Sequence, residues 1–394
     1  MTYEIRTYNQ IAEVGLQEFS PEYTVGPVDK SPTPDGILLR SHKLTPDQVP
    51  DSAVAVARAG AGVNNIPVSE LTERGIVVFN TPGANAEAVK ELVFGGMLMV
   101  ARNLRGAVDY VGGIPVGDED FAKTVEEGKK QYSGTELNGK TLGVVGLGAI
   151  GVRVGNTANT GFGMRVIGYD PAMSVDNAHS LSSDVERATD LEDLLGRSDY
   201  VSLHTPLNPA TEGLMGPKKL ASMKPGAVLL NFARGELVDE GIILGMLSSG
   251  KVASYVTDFP TPALVGVPNV IALPHLGAST VEAEENCAVM AVKQIKNFLE
   301  KGTVINSVNF PEIAMSPRGS ARLVIAHLNK TAMISSLSTA IADGGHNIGG
   351  MDNDHRGDVA ISLIDVSDPI VSSDVLQRIS AVDGVLKARY VNLS

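Results

Sequence analysis

The chain has 394 residues, of which 43% are hydrophobic and 20% are charged, and it carries a formal net charge of −13 at pH 7. This length exceeds what one hydrophobic core usually serves, so two or three domains are expected. The negative charge argues against nucleic acid or an anionic membrane surface as the main partner. No apolar stretch is long enough to span a bilayer and the N-terminus lacks a secretory signal pattern, which together predict a cytoplasmic protein.

A single cysteine, Cys287, excludes an internal disulfide and a cysteine-based zinc site, and no metal site is predicted. It lies in a segment that has the pattern of an amphipathic helix, with no lysine or histidine close in sequence. A buried, inert thiol is therefore expected rather than a nucleophile.

The first hundred residues alternate short apolar runs with helical patterns, which is typical of a doubly wound parallel sheet. Buried strands are predicted at residues 36–40, 54–58 and 76–79, and a long apolar helix at residues 85–102. The same alternation is stronger in the next region. It predicts six strands, at residues 141–146, 165–169, 199–204, 226–231, 253–257 and 269–273. Six strands are what a full dinucleotide-binding domain requires.

The last part of the chain has a different order of elements. A capping box at Ser279 and Glu282 opens a helix that is predicted to run to Lys301 and to end at Gly302. Beyond it the pattern predicts strands at residues 322–326, 347–352, 358–365 and 385–391, with helices at 332–343 and 373–382. The order βαββαβ indicates a ferredoxin-like module that forms a separate domain.

The strongest motif is a glycine-rich turn at residues 146–151, with the sequence GLGAIG, between a predicted strand and a predicted helix. Gly146 makes the tight turn, Gly148 lets the backbone approach a pyrophosphate, and Gly151 permits close packing of the helix on the strand. Ala149 and Ile150 begin the helix, whose N-terminus favours phosphate groups. Asp170 ends the next strand, where a carboxylate accepts hydrogen bonds from ribose hydroxyls. No arginine occurs between Asp170 and Arg187, so NAD is favoured over NADP.

The reaction must be inferred from other residues, because this fold serves many chemistries. Oxidation of a 2-hydroxy acid needs a base with a pKa near 7 for the hydroxyl proton and a guanidinium for the carboxylate. Arg234 and His275 each follow a predicted strand at the sheet edge where ligands bind. A surface arginine and a structural histidine are the alternatives on spacing alone.

Seven segments of the chain together resemble the D-2-hydroxyacid dehydrogenase family over nearly the whole length. They are residues 58–63 (RAGAGV), 75–82 (GIVVFNTP), 134–140 (GTELNGK), 146–151 (GLGAIG), 169–171 (YDP), 231–235 (NFARG) and 274–280 (PHLGAST). The resemblance implies a flavodoxin-like substrate domain at residues 1–93 and 275–305 and a Rossmann NAD-binding domain at residues 94–274. With the C-terminal module at residues 318–394, the expected fold class is α/β, with two doubly wound parallel-sheet domains and a ferredoxin-like domain.

The resemblance also implies roles for individual residues. Arg234 would polarise the substrate and His275 would be the acid/base. The residues implied to bind the cofactor, besides the glycine turn and Asp170, are Thr205, Pro206, Phe232, Ala233, Arg234, Asp258, His275 and Gly277. The substrate's phosphate or carboxylate would be received by Arg40, Arg58, Ala59 and Gly60, and a lysine at Lys129 or Lys130 would reach a neighbouring subunit's site in a homodimer or homotetramer.

The implied reaction is oxidation of 3-phosphoglycerate to 3-phosphohydroxypyruvate, the first step of L-serine synthesis. Two alternatives stay open: another 2-hydroxyacid reductase, acting on hydroxypyruvate or glyoxylate, and a catalytically idle NAD-sensing protein. Arg40, Arg58 and the two lysines favour a phosphorylated substrate over an unphosphorylated one.

One departure from the family concerns the partner of His275. Family members usually place a glutamate between the arginine and histidine motifs, whereas Asp258 is the only acid between Tyr255 and His275 here. Without a carboxylate partner a histidine loses its orientation and an upward shift of its pKa. We therefore predict activity that declines less steeply on the acid side than in relatives with the glutamate, unless Glu236 or a glutamate further downstream takes that place.

The C-terminal module resembles an ACT domain, a small regulatory fold. His327 and Asn329 after its first strand, and Asn347 before its second, match positions that hold L-serine in serine-sensitive relatives. The family's usual Pro-Gly is Thr331-Ala332 here, and a methyl group there would obstruct the approach of the backbone to a ligand. Serine feedback and a purely dimerising module are the two interpretations.

Overall fold

A computed structural model describes residues 2–393. These residues form two compact units. Residues 86–280 are the central unit, and residues 2–85 together with 281–393 are the discontinuous unit. No helix within residues 2–393 combines the length and the apolar character that crossing a membrane requires, and the cytoplasmic location stays a prediction.

The N-terminal part of the discontinuous unit is a five-stranded parallel sheet. Its elements are β1 (Tyr3–Tyr8), α1 (Glu13–Leu16), β2 (Tyr23–Gly26), β3 (Gly36–Leu39), β4 (Ala55–Arg58), α2 (Val68–Glu73) and β5 (Val77–Phe79), with a 3-10 turn at Pro46–Gln48. The strand order is β2-β1-β3-β4-β5, which is the flavodoxin-like order. The predicted strands correspond to β3, β4 and β5, whereas β1 and β2 had not been predicted. The charge of Arg6 masks β1 in the sequence, but its guanidinium is buried and donates to the carbonyls of Ser31, Pro32 and Gln48.

The central unit is built on a seven-stranded sheet in which every strand is parallel to its neighbours. Its helices are α3 (Ala86–Ala101), α4 (Leu104–Gly112), α5 (Phe121–Gly128), α6 (Ala149–Phe162), α7 (Val175–Ser180), α8 (Leu191–Arg197), α9 (Pro217–Ser222) and α10 (Glu240–Ser248), with 3-10 turns at Lys129–Tyr132 and Gly235–Leu237. Its strands are β6 (Thr141–Val145), β7 (Arg165–Tyr169), β8 (Glu186–Arg187), β9 (Tyr200–Leu203), β10 (Ala227–Asn231), β11 (Val252–Thr257) and β12 (Val270–Ala272).

The strand order of this sheet is β12-β11-β10-β9-β6-β7-β8. The direction of winding reverses between β6 and β9, and open parallel sheets bind ligands at the carboxyl ends of the strands beside such a point. All six strands predicted for this region are present, and β8 is a short additional edge strand. The long predicted helix at residues 85–102 is α3.

The chain returns to the discontinuous unit with α11 (Val281–Lys301), which ends at Gly302 in the left-handed region with φ +70°. Its predicted apolar face, Ala288, Ala291, Ile295 and Phe298, is buried together with Cys287 against β3, β4 and β5. The expectation of a buried thiol at Cys287 is confirmed.

The C-terminal sheet has four antiparallel strands in the order β14-β15-β13-β16. Its elements are β13 (Ala321–Leu328), α12 (Met333–Asp343), β14 (Ile348–Arg356), β15 (Val359–Val366), α13 (Ser373–Ser380) and β16 (Val385–Asn392), which is the predicted βαββαβ order. The predicted fold class, two parallel α/β sheets and a further antiparallel sheet, is confirmed.

The two faces of the C-terminal sheet bury different partners. Leu323 and Ile325 face one way and pack with residues of α12 and α13. Val324 and Leu363 face the other way and share a core with Phe298 of α11. Because successive residues of a strand point to opposite faces, this sheet is covered on both sides.

The attachment of this sheet to α11 depends on two arginines. Arg322 forms a buried bidentate pair with Asp365, at 2.7 and 3.0 Å, and its Nη1 donates to the carbonyl of Lys301 at 2.8 Å. Arg389 donates to the carbonyls of Phe298 and Leu299 and lies over the Phe298 ring, 4.5 Å from its centroid. Both arginines thus satisfy carbonyls in the last turn of the helix, which lack partners within it.

The C-terminal module, expected as a separate domain, belongs to a larger compact unit. The C-terminal module is a sheet of its own, yet it lies in the same compact unit as the first sheet, and the boundaries of the central unit fall at residues 86 and 280. Both sheets lie in one unit because α11 packs against each of them, so that a continuous hydrophobic core joins the two sheets. The boundaries at residues 93, 275, 305 and 318 stay predictions.

Candidate active site

The glycine turn follows β6 and opens α6, as its sequence predicts. Gly146 has φ +92°, a conformation that side chains other than glycine rarely adopt. A Cβ on Gly151 would lie 1.9 Å from the carbonyl oxygen of Gly146, so only glycine lets the helix start this close to the turn. A Cβ on Gly148 would meet no atom within 4 Å, which leaves its face of the turn open to a ligand.

Asp170 follows β7 and holds the glycine turn from the neighbouring strand. One carboxylate oxygen, Oδ2, accepts the Leu147 N–H at 2.8 Å, and the other, Oδ1, accepts the Ala172 N–H at 2.8 Å. The carboxylate is thus oriented by the backbone beside the turn. A carboxylate at this place can accept hydrogen bonds from a ribose and repels a 2′-phosphate.

Two buried oxygens at the carboxyl end of the same sheet have no hydrogen-bond partner within the described chain. They are Oγ1 of Thr205, after β9, and Oδ1 of Asp258, after β11. Buried polar atoms are rarely unpaired, and at the edge of a sheet where ligands bind, a bound group can supply the missing partner. Both residues were predicted to bind the cofactor, and the Asp258 oxygen could accept from an amide such as that of nicotinamide. The open Gly148 and these two atoms fit a bound dinucleotide.

Arg234 lies in the turn after β10. Its Nη1 donates to the carbonyl of Ala233 at 2.6 Å, and within residues 2–393 no carboxylate lies within ion-pair distance of its guanidinium. The side chain is half-buried, and the preceding Phe232 is buried. A guanidinium held on one nitrogen and lacking an acidic partner can still bind a carboxylate through its other nitrogens.

His275 lies after β12 with an exposed side chain. Its φ is +46°, which is unusual for a residue other than glycine and is maintained by two hydrogen bonds from its N–H, to the carbonyls of Asp258 and Leu273. Strained backbone of this kind concentrates at functional sites. The ring of Phe259 lies 4.8 Å from the imidazole ring, centroid to centroid.

Asp258 connects the two motifs. Its Oδ2 accepts the N–H of Gly277 at 3.0 Å, and burial raises the pKa of its carboxyl group against the lowering effects of this bond, of His275 and of Arg234. No carboxylate is paired with the His275 ring within the described chain, and Glu236 is exposed. The less steep decline of activity at acid pH stays a prediction.

Comparisons with known proteins agree with this geometry. Residues 94–277 match the family model described as "D-isomer specific 2-hydroxyacid dehydrogenase, NAD binding domain". D-3-phosphoglycerate dehydrogenase of Escherichia coli (strain K12) is 33% identical over 368 residues, which are 90% of this chain and 85% of that protein. The chain belongs to the D-isomer specific 2-hydroxyacid dehydrogenase family.

Two further relatives support this membership. D-3-phosphoglycerate dehydrogenase of Methanocaldococcus jannaschii is 35% identical over 347 residues, 86% of this chain, but the chain spans only 63% of that protein's length. The NAD+-bound 3-phosphoglycerate dehydrogenase of Entamoeba histolytica has a TM-score of 0.61 and 26% identity, covering 78% of this chain and 99% of that one. The predicted cofactor, NAD, is confirmed.

The substrate residues expected from the family lie in the discontinuous unit, at the carboxyl ends of β3 and β4. The Nε of Arg58 donates to the carbonyl of Arg40 at 2.9 Å, and its Nη1 donates to the carbonyl of Gly62. Ala59 and Gly60 follow directly and continue the backbone hydrogen bonds of the sheet. Arg40 is paired with Glu284 of α11 at 2.6 Å. Sequence reasoning missed this pairing, although the first turn of α11 contains two glutamates, Glu282 and Glu284.

The lysines expected to reach a neighbouring subunit lie in the central unit. Lys129 and Lys130 are exposed in the 3-10 turn Lys129–Tyr132, and Lys129 is paired with Glu126. Pro206 is exposed in the loop after β9.

The residues expected to bind serine do not come together within one chain. His327 lies inside β13 rather than after it, because the strand runs two residues further than predicted, and its ring is buried against Ser362 at 2.9 Å. Asn329 lies beyond the Leu328 end of β13, which pairs with Val359. Asn347 lies at the other end of β15, beside Val366, so about seven residues of strand, roughly 23 Å, separate the two asparagines.

Two polar residues of the central unit had not been singled out in the sequence. Asn231, the last residue of β10, is wholly buried. His204, after β9, is hydrogen-bonded to Ser202 at 2.8 Å, and desolvation lowers its pKa to about 3. A polar residue at the end of an apolar strand was the available signal in both cases.

Proposed function

We propose that the chain oxidises 3-phospho-D-glycerate to 3-phosphohydroxypyruvate with NAD, the first step of L-serine synthesis. The observation that carries this proposal is a guanidinium without an acidic partner and an exposed imidazole at the carboxyl edge of one NAD-binding sheet. The names of the E. coli and M. jannaschii relatives support the substrate.

The chemistry divides between two residues of the central unit. His275 takes the proton of the substrate's 2-hydroxyl group as the C2–O bond becomes a carbonyl. Arg234 binds the carboxylate through N–H groups that Ala233 does not occupy, and so orients C2. Bound NAD would supply the acceptor for the hydride that leaves C2.

The phosphate is assigned to Arg58 and Arg40. In the discontinuous unit Arg40 is paired with Glu284, so a phosphate would compete with that carboxylate for the guanidinium. Arg58 is half-buried and fixed by two backbone carbonyls, which suits a preorganised anion site.

Steady-state kinetics with 3-phosphoglycerate, glycerate and glyoxylate test the proposal. We expect 3-phosphoglycerate to have the highest kcat/KM and Arg234→Ala to abolish its turnover while the variant still binds NAD. Arg165→Ala is the matched control, because Arg165 is exposed at the amino end of β7, at the opposite edge of the sheet. A preference for glycerate or glyoxylate would favour the reductase alternative. NAD binding without turnover of any of the three acids would favour an NAD sensor.

Serine regulation and assembly into a homodimer or homotetramer form the second part of the proposal. Since Asn329 and Asn347 lie at opposite ends of the C-terminal sheet, a serine site containing both would need two chains. Isothermal titration of the assembled protein with L-serine tests this, and an absence of binding would leave the module with a purely structural role.

A further inference from the structure

The amide of Asn231 closes the turn that presents Arg234. Its Nδ2 donates to the carbonyl oxygen of Arg234 at 2.8 Å, and its Oδ1 accepts the N–H of Ala233 at 3.2 Å. These two bonds fix the peptide group before Ala233 and the peptide group after Arg234, so they bracket the Ala233–Arg234 peptide between them. Only a side chain that is both donor and acceptor can make them together, and an amide meets this requirement.

The amide itself is held firmly. Asn231 is the last residue of a buried strand and has no exposed surface. Its Nδ2 also lies 3.3 Å from the hydroxyl of Tyr255 on the neighbouring strand β11. All the polar atoms of the side chain are therefore engaged, and a buried amide that is fully satisfied is rigid.

The guanidinium depends on this turn for its direction. Nη1 of Arg234 donates to the carbonyl of Ala233, in the middle of the segment that Asn231 closes. A change in the peptide groups at Ala233 or Arg234 would thus move both the root of the side chain and the acceptor that steers its tip. A misplacement of about 1 Å can cost about a hundredfold in rate.

We propose that Asn231 is a positioning residue, which sets the direction of the Arg234 guanidinium toward the substrate carboxylate. This inference rests on the proposed function of Arg234 as the carboxylate-binding residue. It assigns Asn231 no contact with the substrate or with NAD.

The test compares two Asn231 variants with a matched control. Asn231→Asp keeps the acceptor and removes the donor. Asn231→Ser avoids the buried charge, and its hydroxyl cannot reach both groups. Tyr255→Phe keeps both bonds of the amide to the turn and removes its outer bond, together with the contact between the Tyr255 hydroxyl and Thr257. We expect both Asn231 variants to raise KM for the 2-hydroxy acid and to lower kcat/KM by about tenfold to a hundredfold, and Tyr255→Phe to stay within about threefold of the parent.

Two readouts separate positioning from general damage. In Asn231→Ser the dissociation constant for NAD is expected to stay close to that of the parent, and the Tm to fall by only a few degrees, because buried hydrogen bonds are lost while the fold is kept. If NAD affinity falls in parallel with acid binding, or if kcat/KM of both Asn231 variants stays within about threefold of the parent, the inference is wrong.

A double-mutant cycle then identifies the residue through which Asn231 acts. In an Arg234→Lys background, Asn231→Ser is expected to lower kcat/KM by less than about a further threefold. The reason is that the guanidinium, which Asn231 positions in the parent, is already absent. Fully multiplicative losses would overturn the inference. The cycle uses whichever acid the parent turns over, so failure on 3-phosphoglycerate alone refutes the proposed substrate and not the role of Asn231. An Arg234→Lys variant as active as the parent would instead refute the proposed role of Arg234.

Discussion

The glycine turn of the central unit and the C-terminal sheet of the discontinuous unit are held in place by different kinds of interaction. The turn is fixed by backbone geometry, namely the positive φ of Gly146 and the absence of a Cβ at Gly151. The sheet is fixed by side chains distant in sequence, since Arg322 and Arg389 reach the carbonyls that end α11. The first arrangement tolerates almost no substitution at Gly146 or Gly151, and the second depends on buried guanidinium groups that must keep their hydrogen-bond acceptors.

The largest effect is expected at the buried pair of the C-terminal sheet. Arg322→Met leaves the wholly buried Asp365 without its cation, which is expected to lower the free energy of unfolding by about 3–5 kcal/mol. Urea unfolding of the parent and the variant measures this. The control is the double variant that combines Arg322→Met with Asp365→Asn. It removes both charges and keeps an acceptor for the Arg318 N–H, so it should recover a large part of the lost free energy of unfolding. A single variant that stays within about 1 kcal/mol of the parent would contradict the account.

Two alanine substitutions sharpen the description of the glycine turn. Gly151→Ala places a methyl against the Gly146 carbonyl, so we expect a loss of about 1–3 kcal/mol in stability and loss of NAD binding. Gly148→Ala meets no protein atom, so the Tm without NAD should be unchanged while NAD binds more weakly. Calorimetric titration with NAD and thermal unfolding without it measure both quantities. Unimpaired NAD affinity in Gly148→Ala would place the pyrophosphate elsewhere.

The acid dependence of stability gives a smaller effect, in the central unit. Desolvation lowers the pKa of His204 to about 3, below the ordinary value of about 6.5. Between these values the unfolded chain binds a proton that the folded chain does not, so the contribution of this group is complete above pH 6.5 and is lost as the pH falls. His204→Asn should therefore flatten the decline of Tm between pH 6.5 and pH 4. Parallel Tm curves for the variant and the parent would show that His204 is not the group responsible.

The smallest effect is expected before α12, where Ala332 has φ +65°. Ala332→Gly removes the strain of a side chain in the left-handed region and should raise stability by about 0.5–1 kcal/mol, after the entropy that glycine costs in the unfolded state. Ala342→Gly, at an exposed position of the same helix, is the control and should lower stability by a similar amount. Thermal unfolding of both variants measures whether stability rises in the first and falls in the second. A loss of stability in Ala332→Gly would show that the conformation is not strained.

Much of the fold could be predicted because strand and helix patterns are local. The strands of the central sheet and the βαββαβ order of the C-terminal module follow from apolar runs and turn residues. The two missed strands of the first sheet show where this fails. Arg6 looks incompatible with a buried strand until the carbonyls of Ser31, Pro32 and Gln48 are seen around its guanidinium.

By itself the sequence determined the nucleotide turn, the place of Asp170, and the occurrence of an arginine and a histidine directly after two strands. Each of these features depends on residue type and short spacing. The tertiary structure alone decided what surrounds them. It showed that Asn231 closes the Arg234 turn, that Glu284 is paired with Arg40, and that the C-terminal sheet shares a core with α11. These arrangements join atoms far apart in the chain, and no local pattern encodes which buried donor will meet which acceptor.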